Sequence, residues 1–500
     1  MYRSCLSGLT RREFIAGSSL ALTVLPTSIC RAAEAAQAAA NTEKVRQTKS
    51  PATVKAVFLY PLPEQCDQGK AEASWQEHHW HPYPGNQFRH AEQQEKFTGR
   101  VLDMAKRIGM KVDVAPNVLT TDAEVDKYIS TVAPAPPDAM LVFCFSAASA
   151  KKAHRISQKI EAPAIVYLPT GAYHHLPPAE LRNAKGVHFI HSIENWEETE
   201  RSLRAVHAKN MLAQSRVLRI GNYPKESRST YGTLGTEVVC IPAGQYNDLF
   251  DSIKPDDAIK AAAVQFKAGA TEVMEVTDEY FVEAFRAHKA VCTLLDQYDA
   301  DGITIHCLML QHRKPCVSFS INNSDLTASC GCENDLTATM TMLLNRHLFE
   351  RPGFQHNSEY DEIRNHYFAT HCTCATRLNG PDQPAQSFKI RPFFHHLPKT
   401  PALDVQWTPG ASVILAKLQP PHNVRYFLGT VIGSPSCPPT GGCATRVLVD
   451  FGVDDITKVY MGSHPILSVG TPDDARCYDV FATLSERNQV GQATPPLPRQ

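Results

Sequence analysis

Short apolar, β-rich runs alternate with helical periodicity along the first 330 residues, and that alternation admits few folds. Val54 to Tyr60, Lys111 to Val114, Ala139 to Phe145 and Ala164 to Leu168 read as strands. Between them Gln94 to Ile108, which ends at Gly109, and Ala147 to Ile160 carry helical spacing. Strands separated by helices must pair in parallel, with right-handed crossovers. A charged helical stretch, Trp196 to Leu212, closes this unit. A second α/β unit follows, with strands at Arg216 to Ile220 and Glu237 to Ile241 around a Gly-rich turn, Gly232 to Gly235. Asp278 to Tyr298 reads as a helix that gathers Phe281, Phe285, Val291, Leu294 and Leu295 on one face. Gly302 to Cys307 and Cys316 to Ile321 then read as consecutive buried strands.

The pattern changes after residue 330. Leu336, Met340, Leu343, Leu344 and Leu348 fall at helical spacing, with Asn334 or Asp335 as N-cap and Pro352 beyond the end. Strand-rich segments follow at Ile363 to Thr370, Ala411 to Leu418, Val424 to Ile432 and Arg446 to Phe451. The expected organisation is therefore two α/β units, residues 51–212 and 213–330, and a mostly β domain, residues 331–490. A chain of 500 residues exceeds what one core supports, which agrees with several units.

The net charge of -1 gives no reason to expect a nucleic-acid partner or an anionic membrane surface. Thr10-Arg11-Arg12-Glu13-Phe14-Ile15 reads as a twin-arginine export signal. The apolar run that follows, Ile15 to Leu25, is too short for an ordinary transmembrane helix, and Ala33-Glu34-Ala35 offers a cleavage site. Residues 1–50 are thus expected to be signal and linker. The mature protein is expected to be periplasmic, with no membrane span. That route carries folded proteins and suits a chain loaded with metal before export.

Fifteen cysteines cannot all pair within one chain. Cys437 and Cys443 bracket a Pro/Gly turn, where a local disulfide is expected. The pairs Cys330/Cys332 and Cys372/Cys374 read either as zinc ligands or as buried free thiols. Structural zinc sites more often use a C-x2-C spacing, which favours thiols. The turn at Gly232 is not a dinucleotide fingerprint, no P-loop occurs, and Ser146 and Ser149 lack a nucleophile elbow. The long polar segment Glu64 to His90, with Trp75, His78, His79, Trp80, His81 and Tyr83, reads as a loop over a site or as ordinary surface. The pairs His174-His175 and His395-His396 have no partner motif. Arg391 to His396 lies near the later site residues in sequence only.

The chemistry-bearing residues concentrate in the last third. Glu333 and Asp335 stand where a buried strand hands over to a helix, whose N-terminal amides favour ionised carboxylates able to hold a cation. His371 ends a strand, and His464 lies in a Gly-Ser-His-Pro turn. Imidazole with carboxylate suits Mn²⁺, Fe²⁺ or Zn²⁺ better than Ca²⁺.

The order Cys332-Glu333-Asn334-Asp335-Leu336-Thr337-Ala338, then Thr370-His371-Cys372, Thr408 to Leu415 and Gly462-Ser463-His464 resembles the L-fucose and L-arabinose isomerase family. The resemblance is strong over the last third and generic before it. It implies two Rossmann-like or flavodoxin-like α/β domains followed by a β-rich C-terminal domain, in a homo-oligomer. It implies aldose–ketose interconversion of an open-chain sugar through an enediol, with a divalent metal, commonly Mn²⁺, on two sugar oxygens. Glu333 or Asp335 would supply the metal carboxylate, His464 the C-terminal histidine ligand, and His371 a metal or substrate contact. The family also has a second acid, ligand and base, before the first carboxylate motif. Here that region reads Asp299-Ala300-Asp301-Gly302-Ile303-Thr304-Ile305-His306. One alignment puts His306 in the acidic place and another puts Asp301 near it. The competing expectations are a sugar-binding or sensing protein that kept the fold without the base, and a metal-dependent epimerase or lyase using His306.

Overall fold

The computed structural model describes residues 49–60, 90–145, 149–169, 177–393, 400–435 and 443–489. The export segment, most of the aromatic–histidine segment, Cys437 and the two paired-histidine motifs lie outside them.

The first sheet contains β1 (Thr53–Leu59), β2 (Lys111–Val114), β3 (Ala139–Cys144), β4 (Ala164–Pro169) and β5 (Val187–Ser192). They are parallel throughout, in the order β2-β1-β3-β4-β5. All six residues of β3 are buried, as a central strand covered on both faces requires. The second sheet holds β6 (Arg216–Gly221), β7 (Ser227–Thr230), β8 (Glu237–Pro242), β9 (Gly302–Ile305) and β10 (Ser329–Cys332), in the order β10-β9-β6-β8-β7. Four of these strands are parallel. The fifth, β7, is a wholly exposed antiparallel edge strand that ends just before the expected turn at Gly232. The expected boundary at residue 330 falls inside β10.

Two of the expected α/β units and the β-rich terminal domain are thus present. One expected strand takes another form. Cys316–Ser324 is a helix, not a strand. Alternating Val317, Phe319 and Ile321 suggest a two-residue period, but every residue of this helix is buried, so alternation carries no information about which face is which. The helix follows Pro315, and the side chains of Asn322 and Ser324 return hydrogen bonds to the carbonyls of Ser318 (2.8 Å) and Ser320 (2.6 Å).

The third unit is a seven-stranded antiparallel sheet. Its strands are β11 (Phe354–Gln355), β12 (Asn357–Asp361), β13 (His366–His371), β16 (Ser412–Gln419), β17 (Asn423–Gly433), β18 (Thr445–Asp450) and β19 (Ile466–Val469). Their order is β11-β19-β16-β17-β18-β13-β12, and a separate hairpin joins β14 (Phe388–Pro392) to β15 (Pro401–Val405). One apolar core runs from the first sheet through the helices Trp196–Ala213, Leu336–Phe349 and Pro472–Ser485 to Ile414, Ala416 and Leu418 of β16. A core shared in this way fixes the terminal sheet against the α/β units. No helix among the described residues is long and apolar enough to cross a membrane.

Candidate metal centre

Parallel sheets place ligand sites beyond the carboxyl ends of their strands, where loops leave for the next helix. In the second sheet Cys332 of β10 stands in register with Ile305 of β9, so Glu333 and His306 leave the sheet side by side. Directly after β10 the backbone turns through two consecutive left-handed residues, Glu333 (φ 58°) and Asn334 (φ 59°). Such conformations cost of order 1–3 kcal/mol each and persist only where the surroundings impose them. Here the amide of Asn334 bonds to the Ile305 carbonyl (3.2 Å), and the Asn334 side chain accepts from Arg219 (2.9 Å). The Gln355 side chain accepts from the Cys332 amide (2.6 Å) and donates to its carbonyl (3.1 Å), which ties β10 to the terminal sheet. Gly331 has no alternative, because a Cβ there would lie 2.1 Å from Oγ1 of Thr339 on the following helix. The glycine between Cys330 and Cys332 therefore has a packing origin.

The turn delivers Glu333 to two imidazoles from the terminal sheet. His371 is the last residue of β13, and His464 precedes β19 with φ 43°. Lys417 holds the His464 turn by donating to the carbonyls of Met461 (3.1 Å) and Ser463. Glu333 Oε2 lies 3.2 Å from His464 Nε2, and Oε1 lies 3.7 Å from His371 Nε2. The second contact is an ionic approach, longer than a hydrogen bond. One ligand atom from each of Glu333, His371 and His464 falls within 4.8 Å of the others. Both imidazoles are buried, and both ring nitrogens of His371 lack a hydrogen-bond partner. Buried polar atoms are normally satisfied, so this pair of orphans fits a coordinating role. Two nitrogens and a carboxylate oxygen are donors for a divalent transition ion. The set can hold a metal. Among the described residues no comparable group includes a cysteine, so neither C-x-C pair assembles a zinc site there.

Asp335 occupies the next layer. Its Oδ1 caps the Leu336–Phe349 helix by accepting from the Ala338 amide (2.9 Å), and its Oδ2 meets His464 Nδ1 at 2.9 Å. A carboxylate on the far nitrogen of a ligating histidine fixes its tautomer and raises its basicity. The expected choice between Glu333 and Asp335 thus divides into two roles, with Glu333 in the cluster and Asp335 orienting His464.

The charges are mutually dependent. The imidazoles of His371 and then His464 hold the Glu333 carboxyl well below the usual carboxylate range. Burial works against the charged form of His464, yet Asp335 and Glu333 together raise it to about 9. Glu333 faces one ring nitrogen of His464 and Asp335 the other, so both carboxylates favour its protonated form.

Of the remaining sequence candidates, Asp301 does not reach this centre. It precedes β9, at the opposite end of the parallel strands, where it pairs with Lys49 and accepts from the Arg216 amide (3.0 Å). His306 leaves the correct end of β9, and its Nδ1 is buried without a hydrogen-bond partner, but it is not one of the three clustered residues. Gln355 and Lys417 were not singled out from the sequence, and Asn334 only as a possible N-cap. Only Asn334 carried a signal, since an asparagine between two acids at a strand end is suited to a left-handed turn.

No family model matches the chain, and no curated protein does. Among solved structures it was compared with D-threo-3-hydroxyaspartate dehydratase from Delftia sp. HT23, at 8% identity over 92% of this chain and 89% of that one, with a TM-score of 0.11. A TM-score that low supports no argument about fold or activity.

Proposed function

We propose that the protein is a metal-dependent carbohydrate isomerase. The reading rests on one observation: Glu333, His371 and His464, residues separated by up to 131 positions and ordered as in the fucose and arabinose isomerases, meet at the carboxyl edge of a parallel sheet. A divalent ion held there, Mn²⁺ in the family's usual form, supplies Lewis acidity toward adjacent hydroxyl and carbonyl oxygens of an open-chain sugar. Glu333 provides the anionic ligand, His371 and His464 the neutral ones, and Asp335 keeps the His464 proton on Nδ1. The proton that moves between neighbouring carbons needs a carrier beside the centre. His306, which follows β9 as Glu333 follows β10, is our candidate, since imidazole can carry a proton in such a transfer.

The absence of Asp301 from the centre favours one competing reading, a sugar-binding protein that kept the metal site and lost proton transfer. Incubation of the Mn²⁺-loaded protein with aldoses and ketoses in deuterated water separates the two. Deuterium entering at C2, with interconversion of the sugars, supports the isomerase and should vanish in His306→Gln. Metal-dependent sugar binding with no exchange would leave the binding protein, and no bound metal at all would end both.

A further inference from the structure

The thiol that precedes Glu333 is in contact with a second thiol. Cys332 ends β10, Cys307 opens the turn after β9, and their sulfurs lie 3.3 Å apart. Neither thiol belongs to the cluster of Glu333, His371 and His464. Both are buried. The short 3-10 turn that Cys307 opens continues into two exposed residues, Leu308 (47%) and Met309 (45%), so the buried pair adjoins a surface turn. The geometry points to a redox site: Cys307 and Cys332 form a dithiol that a small hydroperoxide converts to a disulfide, and closing that bond disturbs the Glu333 turn.

The chemistry balances without any group from the metal centre. One thiol reduces hydrogen peroxide, giving a sulfenic acid and water. The second thiol then attacks that sulfur, forming the S–S bond and releasing a second water. Two protein thiols and one peroxide become one disulfide and two waters, with two electrons passing to the peroxide. Burial selects a small oxidant over a bulky disulfide. Closure draws the sulfurs from 3.3 Å to about 2.05 Å. The movement falls on Cys332, whose backbone is already clamped on both sides by Gln355, and on the two left-handed residues that follow. That turn has little tolerance, so Glu333 is the side chain most exposed to the shift. The metal consequence rests on the centre proposed above; the disulfide does not.

The full chain is treated with hydrogen peroxide, digested under alkylating conditions and mapped by mass spectrometry. The expected product is a peptide linked between Cys307 and Cys332, reversed by dithiothreitol. The affinity for Mn²⁺ should fall about 10–100-fold on oxidation, the range seen when the support of a metal ligand is altered, and recover on reduction. Cys307→Ser should keep its reduced-state affinity after peroxide. If that variant does not fold, the wild-type map and its reversal still decide the matter. A map in which other thiols oxidise while Cys307 and Cys332 stay unlinked overturns the proposal. So does a linked pair that leaves both the Mn²⁺ affinity and the His464 ring resonances unchanged. Failure of the reduced protein to bind Mn²⁺ counts against the metal centre alone, and the map with the His464 resonances then tests the redox site.

Discussion

Asp335 serves two elements at once, and substituting it separates them. Its two oxygens divide the work, one accepting from the Ala338 amide and one facing His464 Nδ1, each at 2.9 Å. In Asp335→Asn one oxygen becomes an amide nitrogen, so the helix cap and the imidazole compete for the oxygen that remains. Asparagine caps helices as well as aspartate does, and the cap should keep that oxygen. The NH2 group then faces Nδ1 and drives the proton to Nε2, the nitrogen aimed at Glu333. Metal affinity should fall about 10–100-fold, or roughly 1.4–2.7 kcal/mol. Asp335→Ala should lose a comparable amount of affinity. It also leaves the helix uncapped, so it should be less stable than Asp335→Asn by about 1 kcal/mol. Isothermal titration with Mn²⁺ reads the first quantity, and urea unfolding of the metal-free variants reads the second. Wild-type affinity in Asp335→Asn would refute the orienting role. Equal stability of the two variants would refute the cap.

Metal binding should release about one proton, because His464 is raised to about 9 in the metal-free centre and must be neutral to ligate. Affinity should therefore rise about tenfold per pH unit up to about pH 9, and a flat profile between about pH 6 and 8 would contradict this. His356 is buried, hydrogen-bonded to Tyr367 at 2.7 Å, and pushed down to about 3 by burial. The unfolded chain binds this proton below about pH 6.5 while the folded chain does not, so stability falls as pH drops from 6.5 toward 3. The loss should reach about 2 kcal/mol at pH 5 in denaturant titrations, and His356→Gln should remove most of that slope. Burial disfavours the charged form of Glu198, but His188, Arg201 and Arg476 together lower it to about 2. Its contribution is present above about pH 4.5 and lost toward pH 2. Glu198→Gln should cost about 1–2 kcal/mol at neutral pH, because Arg201 loses its 2.7 Å contact but keeps Asp473 at 3.1 Å. A loss below about 0.5 kcal/mol would show that Asp473 alone satisfies the guanidinium.

Legibility along this chain followed burial asymmetry. The Asp278–Tyr298 helix has one buried stripe, Phe281, Phe285, Val291 and Leu294 among its members, and its limits can be read directly. Cys316–Ser324 is buried on every side, so periodicity cannot tell helix from strand. The edge strand β7 shows the opposite case, with four exposed polar residues and no apolar signal. At the centre, residue type and order were enough to nominate Glu333, Asp335, His371 and His464. They were not enough to divide ligand from orienting group, nor to reject Asp301, which is a few residues from His306 but at the other end of the strand. Gln355 and Lys417 left no trace, because a side chain that braces a backbone turn has no required spacing from it.

The amino-acid order alone determined two α/β units ahead of a β-rich domain, and which acids and imidazoles were available for a cation. Periodic burial is a local property, and donor chemistry belongs to the residue itself. Only the folded chain decided that a carboxylate from the turn after β10 meets imidazoles from β13 and the turn before β19, and that Asp301 stands apart. Those distances depend on how two sheets dock through a shared core, and on a clamped left-handed turn that neighbours distant in sequence hold in place.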